Sequence, residues 1–144
     1  MRLFNQNTKV EALKRAPLFE ALSKKELTEL ARVSEDMELP AGEVLTREGD
    51  TGQEFFVIVD GKTEITRKGK PVAARGGGDF VGEIALLEDT KRTATVTAKT
   101  PLRVFVLTRQ DFRRLVDANR SVEQKVMRAL ARRVVELSGD PTVA

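Results

Sequence analysis

The sequence predicts an α+β fold: an antiparallel β-roll (jelly-roll-like) of about eight short strands, flanked by N-terminal and C-terminal helices. Three observations carry that expectation. Helical periodicity preceded by Ser/Thr-x-x-Glu/Asp/Gln starts recurs near both ends of the chain. The middle instead holds short runs rich in Val, Ile, Thr and Phe, separated by glycine turns. Within it, "EFFVIV" and "KTEITR" are joined by Asp60-Gly61, a two-residue signal for a β-hairpin.

The first helical stretch is "TKVEALKRA", residues 8 to 16, and it stops at Pro17, which discourages helix in the residue before it. Ser23-x-x-Glu26 then forms a capping box, and Leu27, Leu30 and Ala31 follow at helical spacing, so a helix is expected from Lys24 to about Ser34. The texture changes at Leu39. Turns at Pro40 to Gly42, Gly49 to Gly52 and Gly69-Lys70 separate "EVLT", "EFFVIV" and "KTEITR" from "PVAARGGGDF". "TATVTA" and "LRVFVL" add strands on either side of Thr100-Pro101.

Helix resumes after Thr108-x-x-Asp111 and Ser121-x-x-Gln124, both capping-box patterns. The last helix carries Val122, Val126, Met127, Leu130, Val134 and Leu137 on one face, and Gly139 with Pro141 ends it. The layout is one domain over 1–144: helices at 1–36, the roll at 37–108, and helices at 109–144.

Composition narrows the chemistry. The longest apolar run, "FFVIV" at 55 to 59, is far short of the roughly 18 residues a membrane span needs. The opening "MRLFNQNTKVEALKR" has charges where a secretory leader needs apolar residues, so a cytoplasmic protein is expected. Cysteine and histidine are both absent, which removes disulfides, thiolate metal sites and the commonest general base. Ser23, Ser34, Ser121 and Ser138 lie near helix ends, where capping is the expected work, and none has a histidine to activate it. Neither catalysis nor a cofactor is expected. A formal charge of +3 gives no reason of its own to invoke nucleic acid.

One stretch, "GGGDFVGEIALLEDTKRTATV" at 76 to 96, asks for a ligand. Glu83 and Arg92 are too far apart for a helical ion pair and too close to belong to separate elements. Gly82 permits close approach to the main chain, and "EIALL" can form one helical turn whose first N–H groups, those of Ile84 and Ala85 among them, lack intrahelical partners. Free N–H groups at a helix start attract anions, and a guanidinium adds a planar fork that matches two phosphate oxygens. Glu83 suits a hydroxyl. A phosphate beside a ribose satisfies both. Gly76, Gly77 and Gly78 read as a turn before they read as a phosphate cradle, and Glu83 with Arg92 can also be a plain surface ion pair worth about 0–1 kcal/mol.

Gly82-Glu83-Ile84-Ala85-Leu86-Leu87, followed by Arg92-Thr93-Ala94-Thr95-Val96, resembles the phosphate-binding cassette of cyclic nucleotide-binding domains. "GDTGQEFFVIVDGKTEI" resembles that family's glycine-rich turn and paired strands, and the likeness spans roughly residues 17 to 137. It implies that Glu83 accepts the ribose 2′-hydroxyl and Arg92 binds the cyclic phosphate. Gly82, Ile84, Ala85 and Thr93 then approach phosphate or ribose, while Arg133 and Leu137 are lid candidates on the last helix. Val81 departs from the pattern, standing where the family often has an aromatic.

The resemblance implies a non-catalytic sensor whose ligand is cAMP or cGMP, with cAMP expected to bind at least as well. It also implies an output through the C-terminal helices to an effector protein or domain that the sequence does not identify. The alternative is an interaction module that keeps the roll only as scaffold. No helix-turn-helix unit follows residue 137, so no nucleic-acid partner is expected. The initial methionine favours a free-standing version. The arginines at 109, 113, 114, 120, 128, 132 and 133 read first as a solvated face.

Overall fold

The computed structural model describes residues 6–86 and 89–138. It opens with α1 (Gln6–Lys14), a 3-10 turn at Pro17–Phe19, and α2 (Lys24–Val33). Pro17 suits the start of that turn because its ring fixes φ and its missing N–H has no partner to lose there. The box at α2 is reciprocal. Ser23 Oγ accepts the Glu26 N–H at 3.1 Å, and Glu26 Oε1 accepts the Ser23 N–H at 2.8 Å. Leu27, Leu30 and Ala31 of α2 are buried, as their spacing predicts.

The strands are β1 (Glu35–Leu39), β2 (Val44–Thr46), β3 (Thr51–Gly52), β4 (Glu54–Asp60), β5 (Lys62–Arg67), β6 (Lys70–Gly76), β7 (Phe80–Val81), β8 (Thr90–Lys91), β9 (Thr95–Ala98) and β10 (Leu102–Thr108). There are more than the eight expected because β3, β7 and β8 are two-residue strands, too short to leave a periodic signal. One antiparallel sheet runs β1-β10-β4-β7, a second runs β2-β9-β5-β6, and β3 pairs with β8.

The predicted Asp60-Gly61 hairpin does not form. Asp60 pairs with Arg103 in one sheet, while Lys62 pairs with Gly76 in the other. Gly61, at φ +106°, is a corner between sheets, and a Cβ there would press on the Pro101 carbonyl at 2.5 Å. The tight hairpin lies one turn later. Lys68 (φ 52°) and Gly69 (φ 78°) both take the left-handed conformation that two-residue hairpin turns require, joining β5 to β6.

The apolar run on β4 is explained by burial on both faces. Phe55 and Val57 join Leu13, Phe19, Leu30, Phe105, Leu107 and Phe112 in a core between the sheet and the helices. Phe56 and Ile58 join Val104, Val106, Leu102 and Ala98 inside the roll. Phe19 meets Phe55 edge-on, with ring centroids 5.6 Å apart.

Two helices close the chain, α3 (Arg109–Ala118) and α4 (Arg120–Ser138). Thr108 caps α3, its Oγ1 accepting the Asp111 N–H at 3.1 Å. The cap of α4 is Asn119 and not Ser121: Asn119 Oδ1 accepts the Val122 N–H at 3.3 Å, and Ser121 lies inside the first turn with its hydroxyl near the Glu26 carboxylate. Val122, Val126 and Ala129 face the core, whereas Met127 is 51% exposed, one position off that stripe. The expected packing of Leu130, Val134 and Leu137, and the stop at Gly139 and Pro141, lie outside the described residues.

Polar contacts tie α4 to α2. Lys125 Nζ meets Glu26 Oε1 at 2.6 Å, and Asn119 Nδ2 donates to Glu29 at 3.3 Å. Glu26 is 6% exposed, and burial on its own raises its pKa. Hydrogen bonds from Lys125, the Ser23 N–H and the Ser121 and Ser23 hydroxyls outweigh that effect and bring the pKa down to about 2.

Candidate ligand-binding site

Chain reversal after Gly76 begins the site. Asp79 Oδ2 accepts the Gly76 N–H at 2.8 Å, and the Asp79 N–H returns to the Gly76 carbonyl at 3.0 Å. The Gly78 N–H is taken by the Ile58 carbonyl at 2.8 Å, so the glycine triplet is a turn, as expected. Phe80 and Val81 then pair with Val57 and Phe56 of β4, which leads the chain to Gly82 beside the β4 entry.

Residues Glu83–Leu86 form the single expected turn, of 3-10 type. One expectation fails there: the Ala85 N–H is already bonded to the Gly82 carbonyl at 3.0 Å, because a 3-10 turn closes one residue earlier than an α-helix. Leu86 is 1% exposed and packs in the core against the helices. The side chains of Glu83 and Ile84 lie outside the described residues, as do those of the lid candidates Arg133 and Leu137.

Arg92 is the pivot. Its backbone is fixed by two hydrogen bonds to the preceding glycine-rich turn: its N–H to Asp50 O at 2.7 Å, and Gly49 N–H to its carbonyl at 2.8 Å. Its Nη2 donates to the Glu54 carbonyl at 2.6 Å. The guanidinium passes between Gly52 and Gly82 so closely that a Cβ on either would overlap it. Gly82 also sits at φ +85°, where side-chain-bearing residues are strained. Burial pushes the Arg92 pKa below its ordinary value, and the Glu54 carboxylate partly offsets this. The cation is therefore half-buried and incompletely compensated.

Arg92 opens on a cavity of about 530 Å³ between the second sheet and the segment 79–96. Thr46, Ile65, Phe80, Val81, Ala85 and Val96 supply walls, and Gly82 and Thr93 reach the same space. Arg67, Arg75 and Lys91 add positive charge against Asp79, whose Oδ2 is held by Gly76. Four of the predicted site residues, Gly82, Ala85, Arg92 and Thr93, thus line one cavity. The sequence reading missed Gly52 and the Glu54 carbonyl, which fix the guanidinium. The glycine of "GDTG" is the one signal that pointed to them.

No group of His, Cys, Asp or Glu side chains among the described residues is placed to hold a metal ion, and no helix among them is long and apolar enough to cross a membrane. A roll with a cationic cavity and a half-buried arginine in its wall suits a small anionic ligand. A family profile described as the cyclic nucleotide-binding domain matches residues 36–119, and the chain belongs to that family.

Relatives agree. A cAMP-dependent protein kinase regulatory subunit of Emericella nidulans is 38% identical over 106 residues, covering 72% of this chain and 26% of that protein. A cyclic nucleotide-gated potassium channel of Rhizobium etli is 35% identical over 118 residues, covering 81% of this chain and 33% of the channel. Among solved structures, the N-terminal domain of a transcriptional regulator from Streptomyces coelicolor A3(2) superposes with a TM-score of 0.82 at 29% identity, covering 89% of this chain and 93% of that one. The chain spans only a quarter to a third of the length of these two curated relatives.

Proposed function

We propose that the chain is a cyclic nucleotide sensor, with cAMP as the favoured ligand and no catalysis of its own. The observation that carries this reading is Arg92, a cation held between two glycines and one carbonyl at the wall of a cavity sized for a nucleotide. Among the described residues one of its N–H groups is used, on the Glu54 carbonyl, and the rest of the guanidinium's donors suit the cyclic phosphate. A bound anion offsets the cost of the desolvation that lowers its pKa. Glu83 accepts the ribose 2′-hydroxyl. Gly82, Ile84 and Thr93 complete the phosphate and ribose contacts, and Ala85, its N–H held by Gly82, contributes only to the cavity wall. The name of the fungal kinase subunit supports cAMP over cGMP.

Occupancy is transmitted through α3 and α4, with Arg133 and Leu137 closing over the base, to an effector protein or domain. The buried packing of Leu86 in the helix-facing core supports that route, because it ties the cassette to the elements expected to move. Calorimetry with cAMP and cGMP tests the reading. Saturable binding of either nucleotide supports it, and cAMP should bind at least as tightly. No heat with either means that the roll is a scaffold only.

A further inference from the structure

We infer that the Asp89–Arg109 ion pair positions the Arg92 guanidinium, so that the entry of α3 controls the affinity of the anion site. This rests on the reading of Arg92 as the phosphate ligand and adds a regulatory element to it.

Arg109 is the first residue of α3, where the positive end of the helix dipole disfavours a cation. It is nonetheless only 7% exposed, which distinguishes it from the solvated arginines around it. A buried guanidinium is costly unless paired. The partner is Asp89, whose side chain is 69% exposed and stands outside the cavity.

The two arginines are joined on both sides. The Arg109 N–H donates to the Gln53 carbonyl at 2.8 Å, and Arg92 Nη2 donates to the carbonyl of the next residue, Glu54, at 2.6 Å. In the other direction, Asp89 continues directly through β8, where Thr90 pairs with Gly52 and Lys91 with Thr51, into Arg92. The path Arg92, Glu54, Gln53, Arg109, Asp89, β8, Arg92 is therefore a closed ring. A shift of α3 that draws Arg109 away pulls on Asp89 and on the Gln53–Glu54 peptide together, and both hold Arg92. The reciprocal is required by linkage: an anion that fixes Arg92 favours the seated position of α3.

Asp89→Asn tests this, since the residue is exposed and touches no part of the cavity. In the ligand-free protein, amide hydrogen exchange at Arg92 and Gly49 should accelerate while the β5–β9 amides stay as in the native protein. The affinity for cAMP should fall by about fivefold, the scale expected for a residue acting through a packed network. Asp89→Glu should restore most of both. In an Arg92→Lys background, the Asp89→Asn penalty should vanish, which a general loss of stability would not produce. Unchanged exchange at Arg92, or an equal penalty in both backgrounds, overturns the inference. If native protein binds neither cAMP nor cGMP, the nucleotide reading fails, and the exchange measurement alone decides the role of the ion pair.

Discussion

Lys125 of α4 and Glu26 of α2 meet at 2.6 Å, with Glu26 also serving as half of the capping box that starts α2. One carboxylate thus anchors the start of one helix and the flank of another. Its pKa of about 2 lies below the ordinary 4.5. A depressed carboxylate contributes stability above its unfolded pKa and loses it as pH falls through the folded value. The protein should lose roughly 2–3 kcal/mol from this group as pH drops from about 5 to about 2. Thermal melts across that range check it: Glu26→Gln should start less stable and show a shallower acid decline than the native chain.

Gly52→Ala should separate the cavity from the fold. The new methyl overlaps the Arg92 guanidinium, while the backbone at Gly52 is not in the left-handed region. Ligand affinity should fall by about tenfold or more, with a stability loss near the roughly 1 kcal/mol typical of point substitutions. Gly82→Ala should cost more of both, because its φ of +85° adds strain and the Glu54 carbonyl stands 2.9 Å from the new Cβ. Calorimetry paired with denaturant melts distinguishes the two variants.

Removing the Arg92 side chain deletes a charge-assisted hydrogen bond worth about 1.5–3 kcal/mol, so Arg92→Ala should weaken nucleotide binding at least tenfold. Glu83→Gln should weaken it less. The 2′-deoxy ligand should be penalised against native protein and far less against Glu83→Gln. Additive penalties would show that Glu83 does not meet that hydroxyl.

Thr93 is exposed at the cavity wall, and its hydroxyl is proposed to meet a guanine amino group. Thr93→Ala should weaken cGMP more than cAMP, by about 0.5–1.5 kcal/mol, the net worth of a neutral hydrogen bond. Equal losses in a parallel titration of the two nucleotides would assign Thr93 to the phosphate alone.

Helix positions were legible because their signals are local. Ser23-x-x-Glu26, Thr108 before Asp111 and the 3.6-residue stripes need no knowledge of distant chain. Pairing partners were not. Asp60-Gly61 marks a turn in either case, and only the remote Arg103 and Gly76 decide that the chain changes sheets there. Asn119 and Ser121 are both good caps, and spacing alone does not show that Asn119 Oδ1 takes the Val122 N–H while Ser121 falls inside the first turn. Arg109 looked like one more solvated cation, because its burial depends on Asp89 returning from the cassette. At the site, the glycines and Arg92 were visible as residue types, whereas a backbone carbonyl such as that of Glu54 has no signature in sequence.

The order of strands has a consequence for how the chain comes off the ribosome. The second sheet, β2-β9-β5-β6, has all its members once Ala98 has emerged, and so does the wall of the cavity. The first sheet does not. Its second position belongs to β10, which stands between β1 and β4, and until Leu102–Thr108 is made those two strands have no common neighbour. A nascent chain stalled between β9 and β10 would hold one finished sheet and the apolar β4 with its β10 edge unpaired, a state prone to pairing with other chains.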